Sequence, residues 1–306
     1  MTARILRAYY VWPAFPSVSI TGSACALSCR HCMGTYLRCM IPATTPEALV
    51  QQGRRFSMEG KHGLLVSGGC DAKGGMLNLD KFLPALRALH GMGLIIKLHT
   101  GLVDEALARG IAEAGVDIAS TEIVGHEDTI REVFGIDADP GDYIRTISLL
   151  RDAGVPYLAP HIAVGLHHGT LKGEKHALSM LREAAEPSTI VFIVLRPTKG
   201  TPMEHLSAPS AGDVAEVIEY GRGLFPQTKI VLGALRPRGS DHGSEGRNAR
   251  LAIEMAALDS GVDGIEHPSR ALLRSAEATG CRVKRIAAYG VLPIEYEDRV
   301  EWRWVR

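Results

Sequence analysis

Three cysteines within eight residues are the feature of this chain with the most chemistry in it. Cys25, Cys29 and Cys32 stand at CxxxCxxC spacing in SITGSACALSCRHCMG. Each intervening residue spans at most about 3.3–3.6 Å, so a short loop of this kind lets three thiolates converge on one inorganic centre. Thiolates are the ligands that iron–sulfur clusters require, and an ordinary ferredoxin cluster takes four. Three leave one iron with an open coordination position, which is what a catalytic metal site needs. The alternative is a zinc knuckle completed by His31. That residue abuts Cys32 and is badly placed to turn onto the same ion.

The elements that must position this loop alternate along nearly the whole chain. Strand-like runs rich in Val, Ile and Leu cover Ser17–Thr21, Gly63–Ser67, Leu94–His99, Asp117–Glu122, Tyr157–Val164, Ile190–Leu195, Lys229–Gly233 and Asp263–Glu266. They read as buried parallel strands. Amphipathic stretches lie between them, among them Leu79–Met92, Asp104–Ala114, Asp142–Ala153, Lys172–Ala185 and Ala211–Leu224. Gly115, Gly154 and Gly261 recur in AGV or SGV elements, as expected of helix C-caps turning into the next strand. Eight βα units over about 250 residues with right-handed crossovers predict a (β/α)8 barrel of the TIM type. An open doubly wound sheet is the alternative. The expected organisation is one domain over residues 1–306, with a core at about 16–280. A short N-terminal extension precedes it, and residues 281–306 follow as a C-terminal hairpin or lid. In such a barrel the active-site residues lie where strands end and βα loops begin.

Composition sets the broad class. The 306 residues are 46% hydrophobic and 22% charged, with Lys+Arg and Asp+Glu balanced at 34 each. This is an ordinary globular make-up. It lacks the basic excess of a general binder of nucleic acid or of membrane surfaces. The N-terminal residues carry no long apolar stretch after their positive charges, and no run approaches about 18 uninterrupted apolar residues. A cytoplasmic protein without nucleic-acid or membrane partners is expected. The six cysteines, at 25, 29, 32, 39, 70 and 281, are too sparse for a disulfide framework, and the tight trio points to metal chemistry in a reducing compartment.

A CxxxCxxC loop directly after the first strand resembles the signature of the radical S-adenosylmethionine (SAM) superfamily. The phrases SVSITGSACALSCRHC, VSGGCD, HTGLVDE and PTKGTPME resemble its biotin-synthase-like branch, which includes the two-component lipoyl synthase of archaea. The resemblance implies a [4Fe–4S] cluster on Cys25, Cys29 and Cys32, whose open iron binds the amino and carboxylate groups of SAM. Reductive cleavage of SAM then yields a 5′-deoxyadenosyl radical that abstracts a substrate hydrogen. Many relatives carry an aromatic residue before the third cysteine, where this chain has His31.

Further positions follow from the resemblance. Ser67, Gly68 and Gly69 stand where relatives carry the glycine pair that approaches the SAM amino group, a task suited to a backbone without Cβ. Here Cys70 intervenes before the acid Asp71, and a plain strand-to-loop turn is the alternative. Ser120 and Glu122 resemble the pair that holds the SAM ribose in biotin synthase; a carboxylate accepting from hydroxyls is apt for that, and an inward polar layer is the bland alternative. His161 faces the interior, and Gly165 allows close approach to the adenine. His99 contacts substrate or SAM, or is a hydrogen-bonded structural histidine. His167 and His168 sit on a loop, solvated or functional. Arg196 and Arg236 flank the cavity mouth and favour an anionic group such as the SAM carboxylate or a substrate acid; ordinary surface arginines are the alternative.

The departures shape the expected chemistry. Sulfur-inserting relatives sacrifice an auxiliary cluster. The strand that carries its cysteines in biotin synthase here reads PYLAPHIAV, and Ala234 and Ala287–Ala288 stand where lipoyl-type relatives have Cys. Only Cys39, Cys70 and Cys281 remain, with Cys70 best placed, so a second Fe–S cluster is not favoured. The expected function is hydrogen abstraction from a small, anionic or carrier-bound substrate, leading to rearrangement, lyase chemistry or cofactor maturation. A low-potential donor of the ferredoxin or flavodoxin type would supply the electron. Sulfur insertion of the lipoyl or biotin synthase type is one alternative. Another is a non-catalytic, cluster-bearing partner of a paralogous radical SAM enzyme.

Overall fold

The computed structural model describes residues 4–237 and 243–300. The strands are β1 (Ile5–Tyr9), β2 (Ser17–Ser19), β3 (Ile41–Pro42), β4 (Gly63–Ser67), β5 (Ile95–His99), β6 (Ile118–Ser120), β7 (Tyr157–Leu158), β8 (His161–Val164), β9 (Thr189–Val194), β10 (Lys229–Leu232), β11 (Gly264–Glu266) and β12 (Arg282–Ile286). Between them run α1 (Pro46–Met58), α2 (Leu79–Gly91), α3 (Glu105–Glu113), α4 (Glu127–Thr129), α5 (Pro140–Asp152), α6 (Glu174–Ala184), α7 (Ala211–Leu224), α8 (Gly243–Asp259) and α9 (Arg270–Ala278). The short α4 runs into a π-helical turn at Ile130–Phe134.

Helix starts follow side-chain chemistry. Asp139 and Ser210 form capping boxes with Asp142 and Asp213, and Thr45, Asp104 and Ser269 each accept from a first-turn N–H. The three C-cap glycines adopt φ +77° at Gly115, +87° at Gly154 and +95° at Gly261, as the AGV and SGV pattern anticipates.

Two six-stranded sheets result, in the orders β12-β1-β11-β10-β9-β8 and β3-β2-β4-β5-β6-β7, with parallel pairing throughout. The fifth expected strand is split into β7 and β8 at Pro160, which has no N–H to give to a ladder. It still joins the sheets: Ala159 N–H donates to Ala119 O, His161 N–H to Thr121 O, and Val191 N–H to Pro160 O. The outward residues of the strands, such as Leu64, Val66, Ile96, Leu98 and Phe192, form one apolar core with the inner faces of the helices. Among the described residues no helix is long and apolar enough to cross a membrane.

Three expectations need correction. The free edge of β11, which an eight-fold closure would give to β2, pairs instead with β1, and β12 lies on the far side of β1. No ladder joins the outer strands β3 and β12 among the described residues, so the circuit is not closed. Secondly, Ile5–Tyr9 is not an extension: it is a strand with a partner on each side, and the core begins there rather than near residue 16. Thirdly, the strand-like alternation after Cys281 makes a parallel edge strand, not a hairpin, because β1 offers an unpaired edge. The last six residues lie outside those described.

Beyond β12 the chain turns into the space between the sheets. Tyr289 and Val291 pack with Ile118, Ala159 and Val191, and Ala288 and Leu292 pack with Val231 and Tyr9. Ile95 touches both groups, so β5 of one sheet and β10 of the other face each other across this segment. Residues 287–292 thus plug the interior at the N-terminal ends of the strands. Below the plug, the carboxylate of Glu297 accepts from Arg7 Nε at 3.0 Å, Lys284 Nζ at 3.0 Å and Tyr9 OH at 2.8 Å.

Candidate cofactor and substrate site

At the opposite, C-terminal ends of the strands, the cysteine loop leaves β2 and is gripped from three sides. Cys32 and Met33 N–H both donate to Cys29 O, at 2.9 and 3.0 Å, which makes a tight turn inside the motif. From the β4 side, Ala26 N–H donates to Cys70 O at 2.8 Å, Cys70 N–H to Cys25 Sγ at 3.3 Å, and Gly69 N–H to Thr21 Oγ1 at 2.7 Å. From the π-helical turn, Val133 O accepts Arg30 N–H at 2.8 Å. From the loop after β9, Thr198 Oγ1 and Tyr36 OH meet at 2.9 Å.

The three thiols are free and part-buried. Burial and the neighbouring Cys32 and Cys25 push the Cys29 thiol up to about 12, so a triple thiolate here calls for a strongly cationic centre between the sulfurs. Ligands of one tetrahedral zinc would lie about 3.8 Å apart, given Zn–S bonds of about 2.3 Å. Among the described residues the cysteine sulfurs and His31 do not gather within 4.8 Å of one another. His31 instead packs edge-on against Phe134 at 5.5 Å, with Nδ1 buried and unpartnered and its pKa lowered to about 4 by burial. The arrangement suits a polynuclear cluster better than a single ion.

The glycines after β4 act on the loop itself. A Cβ at Gly69 would lie 2.0 Å from Ala24 O and 2.6 Å from Cys25 Cα, so the cysteine loop occupies the space a side chain would need. At Gly68 the corresponding contact is softer, 2.9 Å to Thr21 Cγ2. Ser67 is buried, and its carbonyl accepts Ile20 N–H at 2.9 Å.

Inward positions of β5, β6 and β8 form a polar layer beside this loop. Ser120 Oγ is buried and has no hydrogen-bond partner. Glu122 is bridged to His161 across the backbone; burial raises its pKa, opposed by its own amide and by Lys97. The His99 and His161 rings meet at 4.8 Å, and His161 Nδ1 lies 3.0 Å from Ala159 O. Burial lowers His99 to about 3, with Lys97 adding to the shift, so both imidazoles are neutral. His99 thereby belongs to the same polar layer as the SAM-type positions.

Other expected positions resolve differently. Gly165 has φ +70°, and its missing Cβ would stand 2.0 Å from Pro209 Cγ, so protein fills the side a Cβ would take. Its N–H is held by Glu174 Oε1 at 2.8 Å. Arg196 is part-buried on the loop that reaches the cysteines, its carbonyl accepting from Thr198 Oγ1 at 2.9 Å. Arg236 is not at an open mouth: it is 2% exposed, and Nη2 pairs with Glu254 Oε1 at 2.7 Å while Nη1 donates to Gly233 O.

Sequence reading passed over Lys97, Glu266 and Tyr289. Lys97 is 4% exposed, its Nζ stands 4.6 Å from the Tyr289 ring centroid, and among the described residues no ion pair neutralises it. Tyr289 OH meets Ser17 Oγ at 2.6 Å, and Glu266 accepts from Ala234 and Gly290 N–H at 2.9 and 2.7 Å. The available signal was a single charge in the apolar run LIIKLH, at the same strand parity as His99.

Burial lowers the Lys97 pKa from 10.5 to about 8, despite the opposing charges of Glu266 and Glu122. That difference amounts to about 3 kcal/mol of disfavoured charge near neutral pH. Between these two values the unfolded chain binds more protons than the folded one, so this contribution makes stability rise with pH. The expected result is that Lys97→Met is more stable than the parent near pH 7 by up to about 3 kcal/mol. The advantage should shrink as the pH passes from about 8 through 10.5. Denaturant melts of both proteins across that range check it.

Comparison with known proteins adds the family. Residues 19–181 match the sequence model of the Radical SAM superfamily. Biotin synthase of Ruegeria pomeroyi is 22% identical over 285 residues, covering 90% of this chain and 84% of that protein. Biotin synthase of Coxiella burnetii is 25% identical over 163 residues, and the match spans 50% of its length. Among solved structures, the [FeFe]-hydrogenase maturase HydG aligns over 86% of this chain and 57% of its own, with a TM-score of 0.61 at 16% identity. Methylornithine synthase aligns over 92% of this chain and 84% of its own, with a TM-score of 0.57 at 14% identity.

Proposed function

From the premise that this chain belongs to the radical SAM superfamily, we propose that it abstracts hydrogen from a small substrate whose anionic group is held over Lys97. It is a radical SAM enzyme, with a [4Fe–4S] cluster and SAM as the implied cofactors. When bound, the reduced cluster supplies the electron that cleaves SAM to methionine and a 5′-deoxyadenosyl radical. Cys25, Cys29 and Cys32 would hold the cluster, on a loop kept in shape by Thr21 and Gly69. Ser67, Gly68 and Gly69 line the approach to the SAM amino group. Ser120, with its unsatisfied hydroxyl, and Glu122 offer acceptors to the ribose. His161 and the Gly165 backbone border the adenine, and Arg196 offers positive charge at the rim. We read the two sheets as one TIM-type barrel opened by the insertion of β1 and β12.

The observation that carries the substrate reading is the buried, unneutralised ammonium of Lys97. A buried cation without a direct ion pair among the described residues is costly unless something pairs with it, and it sits on the same strand face as His99, beside the layer that adjoins the cysteine loop. The neutral histidines, Glu122 and the plug at 287–292 exclude bulk water, which strengthens a charge pair formed there.

Sulfur insertion is the competing reading, and the remaining cysteines speak against it. Cys70 adjoins Cys25, Cys39 is exposed at the end of the short turn Leu37–Cys39, and Cys281 precedes β12 at the strand N-termini, away from the cysteine loop. Anaerobic reconstitution is expected to give about four irons per chain, as one [4Fe–4S] cluster requires, and 5′-deoxyadenosine on addition of SAM and reductant. Small-molecule fractions retained by an anion exchanger should accelerate that release, and Lys97→Met should lose the acceleration. About eight irons would move the assignment to sulfur chemistry, and stimulation confined to cationic or neutral fractions would remove Lys97 from the substrate site.

A further inference from the structure

The loop after β8 and the π-helical turn after α4 bring together three groups that the cluster and SAM do not use. Glu132, His167 and His168 place one ligand atom each within 4.8 Å of one another. His168 Nε2 stands 3.5 Å from Glu132 Oε2, and the two imidazoles meet edge to face at 4.9 Å. From this geometry we propose that Glu132, His167 and His168 form a binding site for a divalent first-row transition metal, separate from the cysteine loop.

The donor set is two imidazoles and a carboxylate with room for further ligands, an arrangement suited to zinc or iron(II). The loop is held in the conformation that pairs its histidines. His168 adopts φ +54°, a region that non-glycine residues seldom occupy and that marks strain maintained by the surroundings. On either side of the pair, Gly165 and Gly169 have φ +70° and +89°, and the Cβ each lacks would collide with Pro209 Cγ and with Ser207 O, at 2.0 and 2.4 Å. Gly169 N–H donates to Gly165 O at 2.9 Å and Thr170 N–H to His167 O at 3.0 Å, which closes the turn.

Neighbouring groups fit the assignment. Thr129 Oγ1 lies 3.3 Å from His167 Nδ1, the kind of partner that orients a ligating ring. The nearby cations Lys172 and Arg131 are both bonded to Asp128, and Arg131 keeps only a longer contact of 3.5 Å to Glu132 Oε1. The Glu132 oxygen facing His168 is therefore the other one, Oε2. Because Val133 O accepts Arg30 N–H, an ion here would pin the loop after β8 to the turn that covers the cysteine loop.

The test is zinc binding by the full chain, reconstituted with its cluster, treated with a mild chelator and desalted without oxygen. Calorimetric titration with zinc chloride should show one site per chain beyond the cluster iron. Glu132→Gln, at an exposed position that leaves the loop backbone intact, and His168→Ala should each weaken it at least about tenfold, the usual scale for losing a ligand or its support. His205→Ala, a control at an exposed histidine, should bind as the parent does, and so should a chain with Cys25, Cys29 and Cys32 all changed to Ala. Equal zinc affinity in the parent and Glu132→Gln would overturn the proposal, as would a site that disappears with the three cysteines. A failure of SAM cleavage in the parent would bear on the cluster and not on this titration.

Discussion

Replacing Gly69 by Ala should strip most of the iron from this protein without unfolding it. The added methyl group would have to occupy a point 2.0 Å from Ala24 O and 2.6 Å from both Cys25 Cα and Cys25 Cβ, so backbone must move, not a flexible side-chain tip. Overpacking of this kind costs about 1–3 kcal/mol, occasionally more. At about 1.4 kcal/mol per factor of ten, that is a loss of about five- to a hundredfold in the population of the loop that presents Cys25. The rest of the loop is tied through Thr21, Cys70 and Val133, so the strain concentrates at Cys25. Gly68→Ala is the comparison: its methyl would press on the Thr21 side chain at 2.9 Å and not on backbone, a smaller clash than at Gly69. Iron and acid-labile sulfide per chain after identical reconstitution, with far-ultraviolet circular dichroism as a fold control, decide the matter. A fully loaded Gly69→Ala protein would show that the close approach is not what the loop depends on.

The second large effect is expected at the other end of the molecule. Glu297→Ala should lower the stability by about 3–5 kcal/mol, the usual cost of leaving buried charges without their partner. The Glu297 side chain is 0% exposed and receives Arg7, Lys284 and Tyr9. Removing it leaves Arg7 and Lys284 facing each other beside an unsatisfied phenol. For a chain of 306 residues the loss corresponds to a fall of roughly 5–8 °C in melting temperature. Glu297→Gln, which keeps an acceptor for Tyr9 but not the charge, should fall between. If Glu297→Ala melts within a degree or two of the parent, the cluster of β1, β12 and the last turn does not hold the chain ends together.

The contrast between these two sites shows what local pattern carries. The cysteine loop was legible because its three cysteines, the strand before it and the glycines of the next strand end all lie within short, ordered stretches of sequence. The Gly69 position was found by the same route, although the sequence suggested a ligand beside it and the structure puts the cysteine loop itself there. Pairing between the chain ends was not legible. β1 joins β11 and β12 across more than two hundred residues, and nothing in ILRAY or RVKRI specifies which edge will be free. Arg236 failed for a related reason: its partner Glu254 lies on a helix eighteen positions away, and a charged side chain read alone looks like a surface group. Lys97 was visible as a charge in an apolar run, but its significance comes from its having no direct ion pair among the described residues, which only the packed interior reveals.

The plug formed by residues 287–292 has a consequence for traffic. It fills the interior at the N-terminal ends of the strands, so among the described residues the opposite end, where the cysteine loop lies, is the one it leaves unfilled. Lys97 lies two residues before His99 on β5, against Tyr289 of the plug. If an anionic substrate group is held at Lys97 as proposed, that compound would bind before SAM and leave after its cleavage products. On the proposed function, the order of binding would then be set by six residues at the filled end.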